Sequence, residues 1–408
     1  MRMWIYIVRR VALLVPVIIG VMTITFTLVS AIPVSERISS YYPANPHSNP
    51  SSPTVPCPGN PAQQCPNKAY ENAVAYLQLN QPVPVQWGWY MFNALTFQWG
   101  YVSQTSELGN GEAGLPALRG QAVTGVLATF LPYTIELALL SLFFVLILAI
   151  PIGRLAAAYR NRPVDQLARV MSFSGYALPG FILGTLVLAA AAAALAQGGT
   201  HSPICSSGTA FLEFYGSWPQ PYCWIWGGHL STVGTANWLI LGYQSTPTGF
   251  PTIDALLHGN GWLALDTVLR ILLPALVIAY GSTATLLRFV RNSTLEVMNL
   301  DYVRTARAKG LPESVVIRKH AGRTSLNATV TVLGLTFATF LAGFPIIETV
   351  FDLFGVGRVF ALALVNSAGT YDFGIIFGTT ILFTYMVVVA NIIVDVTYAL
   401  LDPRVRLG

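Results

Sequence analysis

The stretch Asn299–Arg323, NLDYVRTARAKGLPESVVIRKHAGR, lies between two long apolar segments and gathers six basic residues, Arg304, Arg307, Lys309, Arg318, Lys319 and Arg323. The chain is otherwise poor in charge, so this polar island belongs in water. Its residues spell two short helices with a stop between them. Asp301 is suited to cap the first, because a carboxylate accepts hydrogen bonds from first-turn N–H groups. Tyr302, Ala306 and Gly310 then fall on one small, smooth face at helical spacing, with the arginines directed away. Gly310 suits the left-handed position that ends a helix, and Pro312 cannot continue that helix but can open the next. Glu313 falls in a first turn and Arg318, Lys319 and His320 in a last turn, each matching the helix macrodipole. On charge alone such a loop would do no more than fix topology.

Composition says what surrounds it. The chain has 408 residues, 54% hydrophobic and 10% charged, with a mean hydropathy of +0.58. A soluble domain carries roughly a quarter of its residues charged. This is therefore an all-α membrane protein. Six stretches reach the roughly 20 apolar residues that a spanning helix needs: Val11 to Ile32, Leu131 to Ile152, Val170 to Ala196, Val268 to Phe289, Leu326 to Phe351 and Phe373 to Leu400. The first is too long for a signal peptide and lacks a small-x-small cleavage pattern after it, so it reads as a retained anchor.

With both termini inside, 17 of the 22 Lys and Arg fall on the cytoplasmic side and five, Arg37, Lys68, Arg119, Arg270 and Arg358, outside. The positive-inside rule fixes that orientation in the cell membrane and turns the basic island toward the cytoplasm. The net charge of +5 is thus distributed by membrane side. It carries no basic groove with interleaved aromatics and implies no nucleic-acid partner.

YVRTARAKG, followed by a basic segment and another apolar helix, resembles the cytoplasmic coupling loop of binding-protein-dependent ABC importer permeases. The Glu-Ala-Ala-x-x-x-Gly signature of that family corresponds to Arg304, Thr305, Ala306 and Gly310. R-T-A-R-A-K-G is the form usual in its dipeptide, oligopeptide and nickel branch, and the chain resembles the B-type subunit there. The resemblance extends over residues 1–33, 70–196 and 266–408, down to the closing ALLDPRVR. It implies the six-span type I importer permease fold. It also implies that Tyr302, Arg304, Thr305, Ala306, Arg307, Lys309, Gly310 and Leu311 dock into an ATPase subunit. The partners implied are two such ATPases, which hold ATP and Mg, a second related permease chain, an outer substrate-binding protein and the surrounding lipid.

The segmentation follows: a first span over residues 1–33, an outer segment over 34–130, spans two and three over 131–196, an outer cap over 197–265, and spans four to six with the basic island over 266–408. Between Pro43 and Pro66 the outer segment holds eight prolines and reads as turn-rich or disordered. From Tyr70 to Tyr101 it reads as an amphipathic helix on the outer surface, with Trp87, Trp89 and Trp99 at the interface. The cap carries five tryptophans and is too aromatic for a linker. The Pro-rich, Cys-bearing part of the outer segment and the cap are the two extracellular insertions on a minimal permease.

All four cysteines lie in these pieces. Cys57 with Cys65 and Cys205 with Cys223 is the economical pairing in an oxidising exterior, though four cysteines permit three pairings. His201, His229 and His258 share the cap without the tight ligand spacing of a zinc site, so no metal is expected. Glu136, near the outer end of the second span, reads as a structural carboxylate, and Asp395 in the sixth as a polar partner to another helix. Pro179 and Gly180 can kink the third span.

Catalytic motifs are missing. The three lysines, Lys68, Lys309 and Lys319, lie outside any G-x-x-x-x-G-K-[ST] loop, and neither H-E-x-x-H nor a G-x-S-x-G elbow occurs. The chain is not expected to be an enzyme or to hold a cofactor, and energy must come from another chain. The favoured expectation is half of an ATP-driven translocation path for di- or oligopeptides. Oligosaccharide import on the same scaffold is the alternative within the family. An ion-coupled transporter would instead show inverted repeats and midplane ionisable residues, and neither stands out.

Overall fold

The computed structural model describes residues 3–41, 53–57, 60–102, 118, 120–196, 247–341, 344–351, 353–364 and 371–401. Cys205, Cys223, His201, His229 and most of the expected cap lie outside them. The described residues are mostly helical and fall into two compact units.

The first unit holds Met1–Arg10, Tyr133–Phe354 and Val389–Gly408. Helix α1 (Met3–Ser30) begins in it, and α5 (Val123–Ala158) enters it at Tyr133. There follow α6 (Pro163–Ala177), α7 (Gly180–Ala196), α8 (Pro251–Leu257) and α9 (Gly261–Met298). The basic island supplies α10 (Asp301–Ala308), α11 (Glu313–Val315) and a π-helical turn over Val316–Ala321. Then come α12 (Gly322–Leu341) and α13 (Pro345–Val350).

Helix α9 is the hub. Small residues allow close approach to it, as they do between membrane helices generally. A Cβ on Gly175 of α6 would lie 2.6 Å from that of Ala284, and one on Gly153 of α5 2.8 Å from Val290 Cγ1. Polar contacts reinforce these crossings. Ser174 Oγ and Tyr280 Oη are 2.6 Å apart across α6 and α9, and Ser293 Oγ donates to Ser325 O of α12 at 3.1 Å. Glu136 accepts from Thr252 N at 3.0 Å and Thr252 Oγ1 at 3.2 Å, tying α5 to α8 in the structural part expected of it.

The second unit holds Val11–Pro132 and Gly355–Val388. After the remainder of α1 come α2 (Val34–Tyr41), strands β1 (Thr54–Cys57) and β2 (Asn60–Pro66), α3 (Lys68–Tyr76), α4 (Val83–Leu95) and the start of α5. Later α14 (Val356–Leu364) and most of α15 (Phe373–Leu401) complete it. Ile38, Ala73 and Leu77 form its small buried cluster, with Tyr70 and Trp89 packed on it.

Four expectations are corrected here. The Pro-rich insertion contains an antiparallel hairpin, with Val55 opposite Cys65, where a turn-rich or disordered segment was expected. The fold is therefore not wholly helical. Over residues 70–101 the chain makes two helices, because Gln78 takes a left-handed φ of +55° and Pro82 caps a new start. Trp99 leaves the surface: it is 4% exposed, stacks on Tyr385 at 6.1 Å and donates its indole N–H to Ala94 O at 2.9 Å. Leu326 to Phe351 is not one span, since α12 ends at Leu341 and Pro345 opens α13.

Among the described residues, three helical stretches are long and apolar enough to cross a membrane: Val123–Ala158, Ile271–Met298 and Phe373–Thr397. The pair Pro163–Ala177 and Gly180–Ala190 makes a fourth if counted as one span, bent by 100°. Pro179, with no N–H to donate, stands at that bend. Val15–Ser30 and Val332–Leu341 are shorter apolar helices.

Candidate functional site

The basic island folds as a helical knob. Leu300, not Asp301, takes the cap position: its carbonyl accepts from Val303 N at 3.0 Å and Arg304 N at 3.2 Å, and no side chain caps the start. Asp301 stands in the first turn, where its charge opposes the positive end of the dipole. The helix therefore begins at Asp301, one residue earlier than a cap at that position would allow.

The knob has an inner and an outer face. Val303 and Ala306 are buried, with Val297, Val316 and Ala321 around them. They are the small apolar side chains on the inner side of α10, and they attach it to α9 and the π-helical turn. Ala306 is thereby separated from Tyr302 and Gly310, with which it was expected to share a free face. Tyr302, Arg304, Thr305, Arg307, Lys309, Gly310 and Leu311 remain exposed. The i, i+3 spacing of Val303 and Ala306 was the available signal for that inner face.

Gly310 has φ +73°, as the stop required, and open space where a Cβ would stand. Gly310→Ala should therefore cost only backbone strain, about 1–2 kcal/mol, and loosen the end of α10. Faster amide exchange at Lys309–Leu311 is the expected readout, with Gly310→Asn milder, and wild-type exchange in the alanine variant would refute it.

Arg307 and Glu313 close the knob across the turn, with Nη2 to Oε1 at 2.6 Å and Nε to Oε2 at 3.1 Å. The Arg307 guanidinium holds the Glu313 carboxyl below its usual value, partly opposed by burial. Both side chains are more than a third exposed, 38% and 51%, so the pair is worth a few tenths of a kcal/mol, up to about 1. A depressed acid contributes above its unfolded pKa of about 4.3 and loses that contribution as pH falls through the folded value. Amide exchange in α10 and α11 should thus separate wild type from Glu313→Gln at pH 7 and bring them together only once the pH has fallen below the depressed folded value. A gap that widened in acid would contradict the assignment.

The second helix does not end where a last turn at Arg318–His320 was expected. Glu313 opens it after Pro312, and it runs through the π-helical turn directly into α12. At that junction Arg154 Nη2 of α5 donates to Gly322 O at 3.0 Å, a tie that no sequence pattern announced.

Between α6 and α9 lies an ionic cluster around a buried carboxylate that the sequence reading passed over. Asp165 of α6 is fully buried and accepts from Arg291 Nη2 at 3.0 Å, Arg169 Nη2 at 2.7 Å and Asn161 N at 2.9 Å. The spacing of Asp165 and Arg169 was the only local hint. Among the described residues, no group of three His, Cys, Asp or Glu side chains could hold a metal ion. His258 Nδ1 lies 2.6 Å from Asp254 O of its own helix.

Residues 149–407, from the end of α5 onward and including the whole knob, match the sequence model of a family described as binding-protein-dependent transport system inner membrane component. The chain is 32% identical over 356 residues to a probable D,D-dipeptide transport system permease protein of Escherichia coli K12, covering 86% of this chain and 90% of that one. It is 28% identical over 401 residues to a dipeptide transport system permease protein of the same organism, covering 98% of each. With an oligopeptide transport system permease protein of Bacillus subtilis it shares 26% over 402 residues, 98% of this chain and 99% of the other. The knob, the helices that carry it and this match together make the chain a member of the binding-protein-dependent transport system inner membrane component family.

Proposed function

We propose that the chain is a permease subunit of an ATP-driven importer that carries di- or oligopeptides delivered by an outer binding protein. The observation that carries the proposal is the exposed RTARAKG knob on a chain of this family. The names of its near full-length relatives favour peptides, and no observation favours sugars. In this reading the chain crosses six times, by the three helices long enough alone, the bent pair of α6 and α7 as one span, and the helices from Val15 and from Val332, and the excess of Lys and Arg on one side supports a cytoplasmic knob and cytoplasmic termini. The chain lacks a phosphate-binding loop, so two ATPase subunits hold ATP and Mg and do the hydrolysis. One knob serves one ATPase, and a second, related permease chain presents the other. An energy source outside the chain also sets this reading against an ion-coupled carrier. Cys57 with Cys65 pairs outside the membrane, supported by the β1–β2 hairpin and by Cys65 being disulfide-bonded.

Affinity purification from native membranes, followed by reconstitution, tests this reading. ATPases and a second permease should co-purify, and vesicles should take up peptide only with ATP and the binding protein. Uptake that survives without ATP but collapses with an ionophore would overturn it, as would a binding protein that holds oligosaccharides and ignores peptides.

A further inference from the structure

A pocket of about 380 Å³ opens between α6 and α9, lined by Arg160, Arg169, Arg288 and Arg291 together with Ser172 and Phe173. Among the described residues, these four guanidiniums face a single carboxylate, Asp165, which pairs with Arg169 and Arg291. Among the described residues, Arg160 and Arg288 have no carboxylate partner, and Arg288 lies over the Phe173 ring at 5.9 Å. Like charges converge only where something anionic repays their repulsion, and the arginine fork matches phosphate oxygens in particular. Ser172 points the same way, because its Oγ is buried without a hydrogen-bond partner and a buried hydroxyl ordinarily has one.

The neighbouring surface separates a lipid from a free phosphate. Leu167, Val170 and Phe173 are exposed at three-residue spacing on α6, making a broad apolar stripe beside the basic rim. Phe173 belongs to both. A free phosphate or nucleotide would leave that stripe unused, whereas acyl chains would lie along it below a headgroup held by the arginines. Basic pockets between membrane helices on the cytoplasmic side take anionic headgroups in this way. The volume also falls within the small-ligand range of roughly 300–1,000 Å³.

We propose that the pocket between α6 and α9 is a phosphate site, filled by the headgroup phosphodiester of an anionic phospholipid in the leaflet that borders the knob. Assigning that leaflet to the cytoplasmic side rests on the orientation proposed above. The headgroup binding does not.

The test uses the full chain with Arg160→Gln and Arg288→Gln combined, because neither residue touches Asp165. Wild type should retain phosphatidylglycerol by native mass spectrometry in mild detergent, and should be stabilised by it in phosphatidylcholine nanodiscs. The double variant should bind about 30-fold more weakly, the loss expected from two basic contacts near an anionic leaflet. Inorganic phosphate should not reproduce the stabilisation. Equal retention by the double variant overturns the site, and so does an equal loss from Arg304→Gln, which changes charge elsewhere. Stabilisation by inorganic phosphate alone, with no lipid retained, overturns the lipid as its source. Peptide uptake is read separately, so failure of either proposal is visible without the other.

Discussion

Asp165→Ala is expected to destabilise the α6–α9 packing by about 3–5 kcal/mol, the range for stripping one partner from a buried ion pair. Arg291 is the reason. Its side chain is 15% exposed and loses its counter-charge outright, whereas Arg169, at 47%, can turn to water and contributes little to the loss. Pairing the change with Arg291→Met removes the orphaned charge and should recover most of the stability. Thermal unfolding in detergent checks both variants, and a single variant that melts with wild type would show that the cluster holds nothing.

The second large effect concerns the outer face of the knob. Thr305→Trp should reduce peptide-stimulated ATP hydrolysis of the assembled complex to its basal rate, with ATPase association weakened about 30-fold or more, as when a central contact of an interface is lost. Thr305 is chosen because it is exposed and its Oγ1 only returns a bond to Asp301 O of its own helix, at 2.9 Å. The knob should therefore fold around an indole there. Gly310 would serve badly, since its left-handed backbone strains any side chain and confuses a docking defect with a folding one. Coupling unchanged in Thr305→Trp would remove the proposed ATPase contact while leaving family membership intact.

These cases divide what the sequence announces from what it hides. The stop at Gly310, the restart at Pro312 and the bend at Pro179 are backbone constraints of single residues, and each is found where its residue stands. The long apolar segments were legible from composition alone, although among the described residues three helices are long and apolar enough to span alone, against the six stretches read from the sequence. The inner face of the knob was half legible: Val303 and Ala306 are apolar and three apart, but a basic surround drew the reading toward a wholly exposed helix. Asp165 with Arg291 and Arg154 with Gly322 join residues 126 and 168 positions apart. No spacing rule reaches that far. Trp99 was misplaced because an indole suits both a membrane interface and a stacked interior, and only the fold brings Tyr385 to it.

The unbroken run from Glu313 through the turn at Val316–Ala321 to Leu341 has a mechanical meaning. A wider coil amounts to one surplus residue in an otherwise regular rod. Deleting one residue from it would restore ordinary winding with the two flanking segments still in phase, whereas deleting one from the regular winding of α12 would swing everything upstream by about 100° against everything downstream. The bearing of the knob on its span is thus set like the phase of a crank on its shaft. With no slack joint between them, torque applied at one end must appear at the other.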